Sequence, residues 1–299
     1  MKSLKAIVMP GIGDIVYTWY KLQHYHKLGY KVDLLIPDNK PQRGHQLRGM
    51  ITGVNSIEFI KVPHLNRFRL VDPISLIKPN PNCLFQGIPL AHTNSFIEAG
   101  IHINDFMKEA PVDYDIDFKI NPMQLKKAED IVKKFDRNIF VYTSSVRTNK
   151  IANNRPDPTF WVRIVKRFIG EYCMGMRTVV HLVGAEYDRD LMGLVSQQLT
   201  RSKLKHYSYI DQDLGFICGL LKLCDAALVH ESGFIILADL FKTPCLAMYF
   251  KGFYDRKDEM LPYTGIVSPA AYDEKRMIAV MHYEEISTVK YKLKELKIK

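Results

Sequence analysis

Short apolar runs and helix-period segments alternate from the start of the chain. Leu4 to Met9 is an apolar run of strand length, Asp14 to Leu28 carries apolar residues at helical spacing, and Val32 to Ile36 is a second apolar run. Gly29 stands where a helix C-cap is wanted and Pro37 closes the second strand, so the punctuation agrees with the periodicity. This is the βαβ pattern of a parallel sheet. From Pro63 to Pro89 it gives way to Pro- and Asn-rich sequence that reads as loops. Alternation then resumes. Strands are predicted from Ile139 to Thr143, Thr178 to Val183, Tyr207 to Ile210, Ala226 to Val229 and Cys245 to Phe250. Helices are predicted between them, from Thr159 to Tyr172, Asp188 to Leu199, Leu214 to Cys224 and Gly233 to Phe241. The stretch Val112 to Pro122, in which Asp113, Asp115 and Asp117 alternate with apolar residues, precedes an amphipathic helix from Met123 to Phe135 and reads as a crossing between lobes. The boundary falls at Asn121, giving domains 1–121 and 122–299. The expected class is α/β, with two doubly wound parallel sheets.

At 299 residues the chain is long enough for two such cores. No apolar run approaches the roughly 20 residues of a membrane-spanning helix, and Pro10-Gly11 ends the first run too early for a secretory leader. The five cysteines are odd in number and show no C-x-x-C spacing, which fits reduced core thiols and a cytoplasmic protein. A net charge of +10, part of it in the tail from Lys290 to Lys299, favours an anionic partner: a nucleotide, a nucleic acid or lipid head groups at a membrane surface.

Chemistry-bearing residues gather where strands turn into helices. Gly11-Ile12-Gly13-Asp14 occupies the first such turn, at the edge where open α/β sheets bind ligands. A dinucleotide fingerprint wants a third glycine where Val16 stands, which weakens a nicotinamide reading with Asp38 as ribose partner. Asp14 has two readings, a helix cap worth about 1 kcal/mol or a general base exposed by the glycines. The turn His230-Glu231-Ser232-Gly233 precedes another helix. Its free amides suit a phosphate and Glu231 suits a ribose hydroxyl, against the plainer reading that Glu231 and Ser232 cap the helix. After the strand ending at Thr143 come Ser144, Ser145, Arg147, Lys150 and Arg155, hydroxyls and cations fit for a diphosphate or simply solvated loop charges. Gly184, followed by Ala185 and Glu186, ends a buried strand where a base or ribose could lie against the backbone. His181 reads as a core histidine, and His24 and His26 lack a carboxylate at metal spacing, so no metal site is read.

Several of these segments resemble glycosyltransferase family 9, the heptosyltransferase-like enzymes. Ile7 to Val16 is similar to that family's first strand and G-D turn, Val179 to Glu186 to its strand ending in glycine, and Asp225 to Pro244 to its strand, D-S-G, helix and small-Pro block. His92 to Ile101 resembles a further segment of its N-terminal lobe. Glu231 stands in place of the usual aspartate, and Ile236 where the family commonly carries histidine. The resemblance implies the GT-B architecture, two Rossmann-like domains facing a cleft, with a last helix from about Tyr283 to Lys297 crossing back to the first domain. It implies inverting, metal-independent transfer from a nucleotide-diphosphate sugar as co-substrate, with no other cofactor. Asp14 would be the base, Gly11, Gly13 and His92 would lie on the acceptor side, and the C-terminal residues above would hold the donor. The acceptor stays open between a glycan, a lipid-linked glycan and duplex DNA carrying a hydroxymethylated base. For the DNA acceptor the charge and the aromatics Tyr17, Trp19, Tyr20, Tyr25 and Tyr30 speak, against the plainer reading that those aromatics pack the first helix. A nucleotide-binding or NAD-dependent protein without transfer activity is the reading from a different class.

Overall fold

The computed structural model describes residues 3–7, 11–37, 44–54, 56–60, 83–85, 114, 116–143, 157–249, 267–281 and 286–298. They form two compact units, Met1–Lys119 and Ile120–Lys299, each built on its own parallel sheet.

The first unit contains β1 (Ser3–Ile7), α1 (Ile12–Lys27), β2 (Lys31–Pro37), α2 (Gly44–Leu47), β3 (Ser56–Ile60) and β4 (Cys83–Phe85). The sheet order is β3-β2-β1-β4. Helix α1 buries Ile15, Val16, Trp19, Tyr20 and Leu22, the stripe that its periodicity predicts. It ends as expected. Gly29 takes φ +82°, a left-handed conformation that a side chain disfavours, and donates to the carbonyl of His26 at 2.9 Å. An isolated bridge from Ile51 to Phe118 and a bond from the Lys119 amide to Met50 O (2.7 Å) tie the end of the unit to its body.

The second unit begins with α3 (Pro122–Val132), β5 (Arg137–Tyr142), α4 (Pro158–Tyr172), β6 (Thr178–Gly184), α5 (Arg189–Arg201), β7 (His206–Ile210) and α6 (Leu214–Leu223). It continues with β8 (Ala226–His230), α7 (Gly233–Leu240), β9 (Cys245–Tyr249), α8 (Pro269–Asp273), β10 (Met277–Met281) and α9 (Ile286–Glu295). The order is β10-β9-β8-β5-β6-β7. Three helices start on a side-chain cap with proline or leucine next: Asn121 accepts from the Met123 amide, Asp157 from Thr159 and Asp213 from Gly215. On one face of the sheet Val141, Leu182, Leu228 and Met248 pack with Trp161, Val165 and Phe168 of α4 and with Leu191 and Val195 of α5. On the other face the Phe140 ring meets Phe234, and Tyr209 meets Phe216. The α/β class with parallel sheets is therefore borne out.

The last helix packs within the second unit. Its apolar residues Val289, Leu293 and Leu296 belong to the second unit's own core, and the Tyr172 hydroxyl donates to the carbonyls of Leu293 and Leu296.

Candidate functional site

Strand order decides where the predicted turns come together. In the second unit the order read from the other edge, β7-β6-β5-β8-β9-β10, is the doubly wound 3-2-1-4-5-6 arrangement, whose reversal lies between β5 and β8. The turns after those two strands, read separately in the sequence, therefore flank one crevice at the carboxyl edge. Tyr142 pairs with Val183 on one side and Val229 on the other. Continuing that register puts Gly184, Thr143 and His230 in one row on neighbouring strands.

Side-chain alternation aims this row at α4. Val141 and Leu228 face the α4 core, so Thr143 and His230, two residues on, face it too. The His230 ring lies 6.4 Å from that of Trp161, in the first turn of α4. A wholly apolar layer is thus topped by a hydroxyl, an imidazole and an indole N–H, all buried. Among the described residues, neither Thr143 Oγ1 nor Trp161 Nε1 has a hydrogen-bond partner. A buried polar group without a partner costs about 1–3 kcal/mol, which makes both atoms candidates for a ligand oxygen or a bound water.

The turn after β8 separates the two alternatives offered for it. Ser232 is the N-cap of α7, its Oγ accepting from the Phe234 amide at 3.3 Å, so the capping reading holds for its side chain. Glu231 is not the cap. It is buried and its amide donates to Met248 O at 2.8 Å, which extends the β8–β9 pairing by one residue. Gly233 opens α7.

At the end of β6 the glycine has a packing role. A Cβ on Gly184 would meet Met192 Sδ, Asp188 Cβ at 2.9 Å and Asp188 Oδ2 at 3.1 Å, so the missing side chain makes room for the chain's own packing. Asp188 is buried there and accepts from the Ala185 amide at 2.9 Å. Glu186 is exposed and paired with Arg189 (2.5 and 2.6 Å), whose hydrogen bonds hold its carboxyl below the ordinary range. Between them Tyr187 puts its hydroxyl 3.2 Å from that of Tyr142, whose ring lies 4.8 Å from Phe234. Sequence reasoning missed Thr143, Tyr142, Trp161 and Tyr187. Their one visible signal is a polar or amphipathic residue at the end of an apolar run or in the first turn after it.

In the first unit the order β3-β2-β1-β4 reverses between β1 and β4, so the turn entering α1 lies at that sheet's switch point. Gly11 is the N-cap and Gly13 the second helical residue. Asp14 is the third, inside the first turn and not at the cap. His92, Asp38, Ser144, Ser145, Arg147, Lys150 and Arg155 lie outside the described residues. His181 is the core histidine expected, its Nε2 3.0 Å from Asn138 Oδ1. Trp19 and Tyr20 are fully buried, Trp19 donating to Thr52 O at 2.7 Å, so neither can stack on a DNA base. Four cysteines, Cys173, Cys218, Cys224 and Cys245, are buried and free, and burial pushes their thiols up. Among the described residues no three His, Cys, Asp or Glu side chains gather as a metal site would require, and no helix is long and apolar enough to cross a membrane.

No family model matches the sequence, and no curated protein matches it. Solved structures do. E. coli ADP-heptose lps heptosyltransferase II superposes over 98% of each chain, with a TM-score of 0.64 at 13% identity. A glycosyl transferase of family 9 from Veillonella parvula DSM 2008 covers 98% of this chain and 91% of its own, with a TM-score of 0.62 at 11% identity. E. coli heptosyltransferase WaaC with ADP covers 98% and 99%, with a TM-score of 0.59 at 11% identity. At such identities the likeness establishes the fold alone, and that fold is the two-sheet GT-B architecture.

Proposed function

We propose that the chain is a glycosyltransferase that moves a sugar from a nucleoside-diphosphate donor, held by the second unit, to an acceptor hydroxyl. The observation that carries this is the crevice between β5 and β8, where two buried polar atoms without partners, Thr143 Oγ1 and Trp161 Nε1, adjoin His230, Glu231 and the start of α7. A diphosphate oxygen supplies the acceptor that those donors lack, and the positive end of α7 adds charge stabilisation. The shared fold with an ADP-heptose heptosyltransferase and with a heptosyltransferase solved with ADP supports the same reading.

In this mechanism Asp14 removes the proton from the acceptor hydroxyl. The oxygen attacks the anomeric carbon from the face opposite the diphosphate, so the configuration inverts as the diphosphate leaves. The Gly233 amide, with Arg147, Lys150 and Arg155 as proposed cations, takes up the departing charge without a metal ion. Glu231 accepts from a ribose hydroxyl. A glycan at a membrane surface is the acceptor that suits the net charge of +10. Trp19 and Tyr20, two of the five aromatics named for duplex DNA, are buried and give that reading no support.

Calorimetric titration of ADP, UDP, GDP, CDP, dTDP and NAD tests the reading. One nucleoside diphosphate should bind, Glu231→Ala should weaken it about 10- to 100-fold, as expected for a hydrogen bond to a charged group, and Asp14→Asn should bind it unchanged while abolishing transfer. Binding of NAD alone, or of none of the panel, overturns the proposal.

A further inference from the structure

The turn after β6 leaves one large side chain facing outward. Asp188 is buried under the turn and Glu186 is engaged by Arg189, whereas the Tyr187 side chain, between them, is 39% exposed. It is also oriented. Its hydroxyl meets the Tyr142 hydroxyl at 3.2 Å, and the Tyr142 ring lies 4.8 Å from Phe234 in the first turn of α7. One hydrogen bond and one ring contact therefore connect Tyr187 to the helix start beside which the donor's phosphates are placed. The end of β6 lies two strands from the end of β8, about 10 Å at the usual strand spacing, a gap that a ribose and two phosphates bridge. In sheets of this strand order the nucleoside end of a bound dinucleotide is met at the second strand, which here is β6.

We propose that Tyr187 is the platform on which the donor's nucleobase stacks, and hence the residue by which this site favours a nucleoside diphosphate over bare pyrophosphate. The inference rests on the donor reading above. The Tyr142 hydroxyl holds the ring in place before the ligand arrives, so little side-chain freedom remains to be lost on binding.

The test compares wild type, Tyr187→Ala and Tyr187→Phe by calorimetry, with the tightest nucleoside diphosphate of the panel and with pyrophosphate as probes. Stacking of a base on an aromatic ring is lost on truncation to alanine by about 5- to 150-fold in affinity. Tyr187→Ala should weaken the nucleotide within that range and leave pyrophosphate unchanged, while Tyr187→Phe, which keeps the ring, should bind the nucleotide within about threefold of wild type. Undiminished nucleotide binding by Tyr187→Ala overturns the inference and leaves the donor reading standing. Equal losses for nucleotide and pyrophosphate overturn it as well, because the side chain then acts on the fold of the turn and not on the base. A wild type that binds no nucleoside diphosphate removes the donor reading itself, and the inference with it.

Discussion

His181 should make the second unit acid-labile, by an amount that its surroundings define. The imidazole is fully buried on the face of the sheet opposite α4, stacked near Tyr207 and Tyr209. Asn138 donates from Nδ2 to Val132 O at 3.2 Å, which turns its Oδ1 toward His181 Nε2, so Nε2 carries the proton. The Tyr209 hydroxyl lies 3.4 Å from Nδ1. Both ring nitrogens are served as a neutral imidazole, and burial pushes the group's pKa down from 6.5 to about 4. The unfolded chain therefore binds a proton that the folded chain refuses, so the stability is full above about pH 6.5 and is lost as pH falls toward 4. Between pH 7 and pH 5 the loss from this one group is about 2 kcal/mol. His181→Phe keeps a ring of similar shape but strands Asn138 Oδ1, at a cost of about 1–3 kcal/mol at pH 7, and it abolishes the titration. The chain has two tryptophans, Trp19 in the first unit and Trp161 in the second. Urea unfolding followed by Trp161 fluorescence in a Trp19→Phe background therefore reports the second unit. In that background, the stability gap between the protein that keeps His181 and the one that also carries His181→Phe should narrow by about 2 kcal/mol on going from pH 7 to pH 5. Parallel pH profiles would refute the reasoning, since the imidazole would then protonate in place without penalty.

Two further expectations concern the carboxyl edge of the same sheet. Gly184→Ala should cost about 1–3 kcal/mol by overpacking against Asp188 and Met192; combining it with Met192→Ala should be less costly than the sum of the two, and strictly additive values in thermal or urea unfolding would show that the space was open. Ser232→Ala should cost about 1 kcal/mol through loss of the cap on Phe234 N, Ser232→Asn should restore most of it, and an unchanged melting curve for the alanine variant would remove the capping account.

Strands β1, β2 and β5 to β9 were legible chiefly because a parallel strand covered on both faces reads as an unbroken apolar run, as Ile139-Phe140-Val141 and Ala227-Leu228-Val229 do. The same reasoning overlooked β3, Ser56–Ile60, and β4, Cys83–Phe85, the latter inside the stretch from Pro63 to Pro89 read as loops, and it overlooked β10, Met277–Met281, although that run is equally apolar. The run follows Asp-Glu-Lys-Arg at 273–276, and no long helical pattern precedes it to mark a βα unit. Caps were legible as residue types but not as roles. Ser232 and Glu231 are both plausible caps on paper, and only backbone geometry shows that the serine faces Phe234 N while the glutamate is buried a residue earlier.

The site itself was legible in pieces and illegible as a whole, for a reason of topology. Each piece sits at a strand end, which a sequence shows, but the crevice exists because the chain passes from β7 back across the sheet to lay β8 against β5. No local pattern records that choice of side. It puts Thr143 next to His230, 87 positions later in the chain, with the Trp161 ring 6.4 Å from that of His230. Gly184 shows the converse limit. A glycine ending a buried strand looks the same whether it keeps space for a ligand or for a methionine eight positions on, and packing decides between them. The two unpartnered donors at Thr143 and Trp161 stand apart from such ambiguities, because local packing offers them nothing. A fold that retains two buried N–H and O–H groups at its switch point bears a cost of a few kcal/mol that a bound diphosphate would remove. The stability of the second unit should therefore rise with donor occupancy by more than the same contacts at a solvated surface would supply.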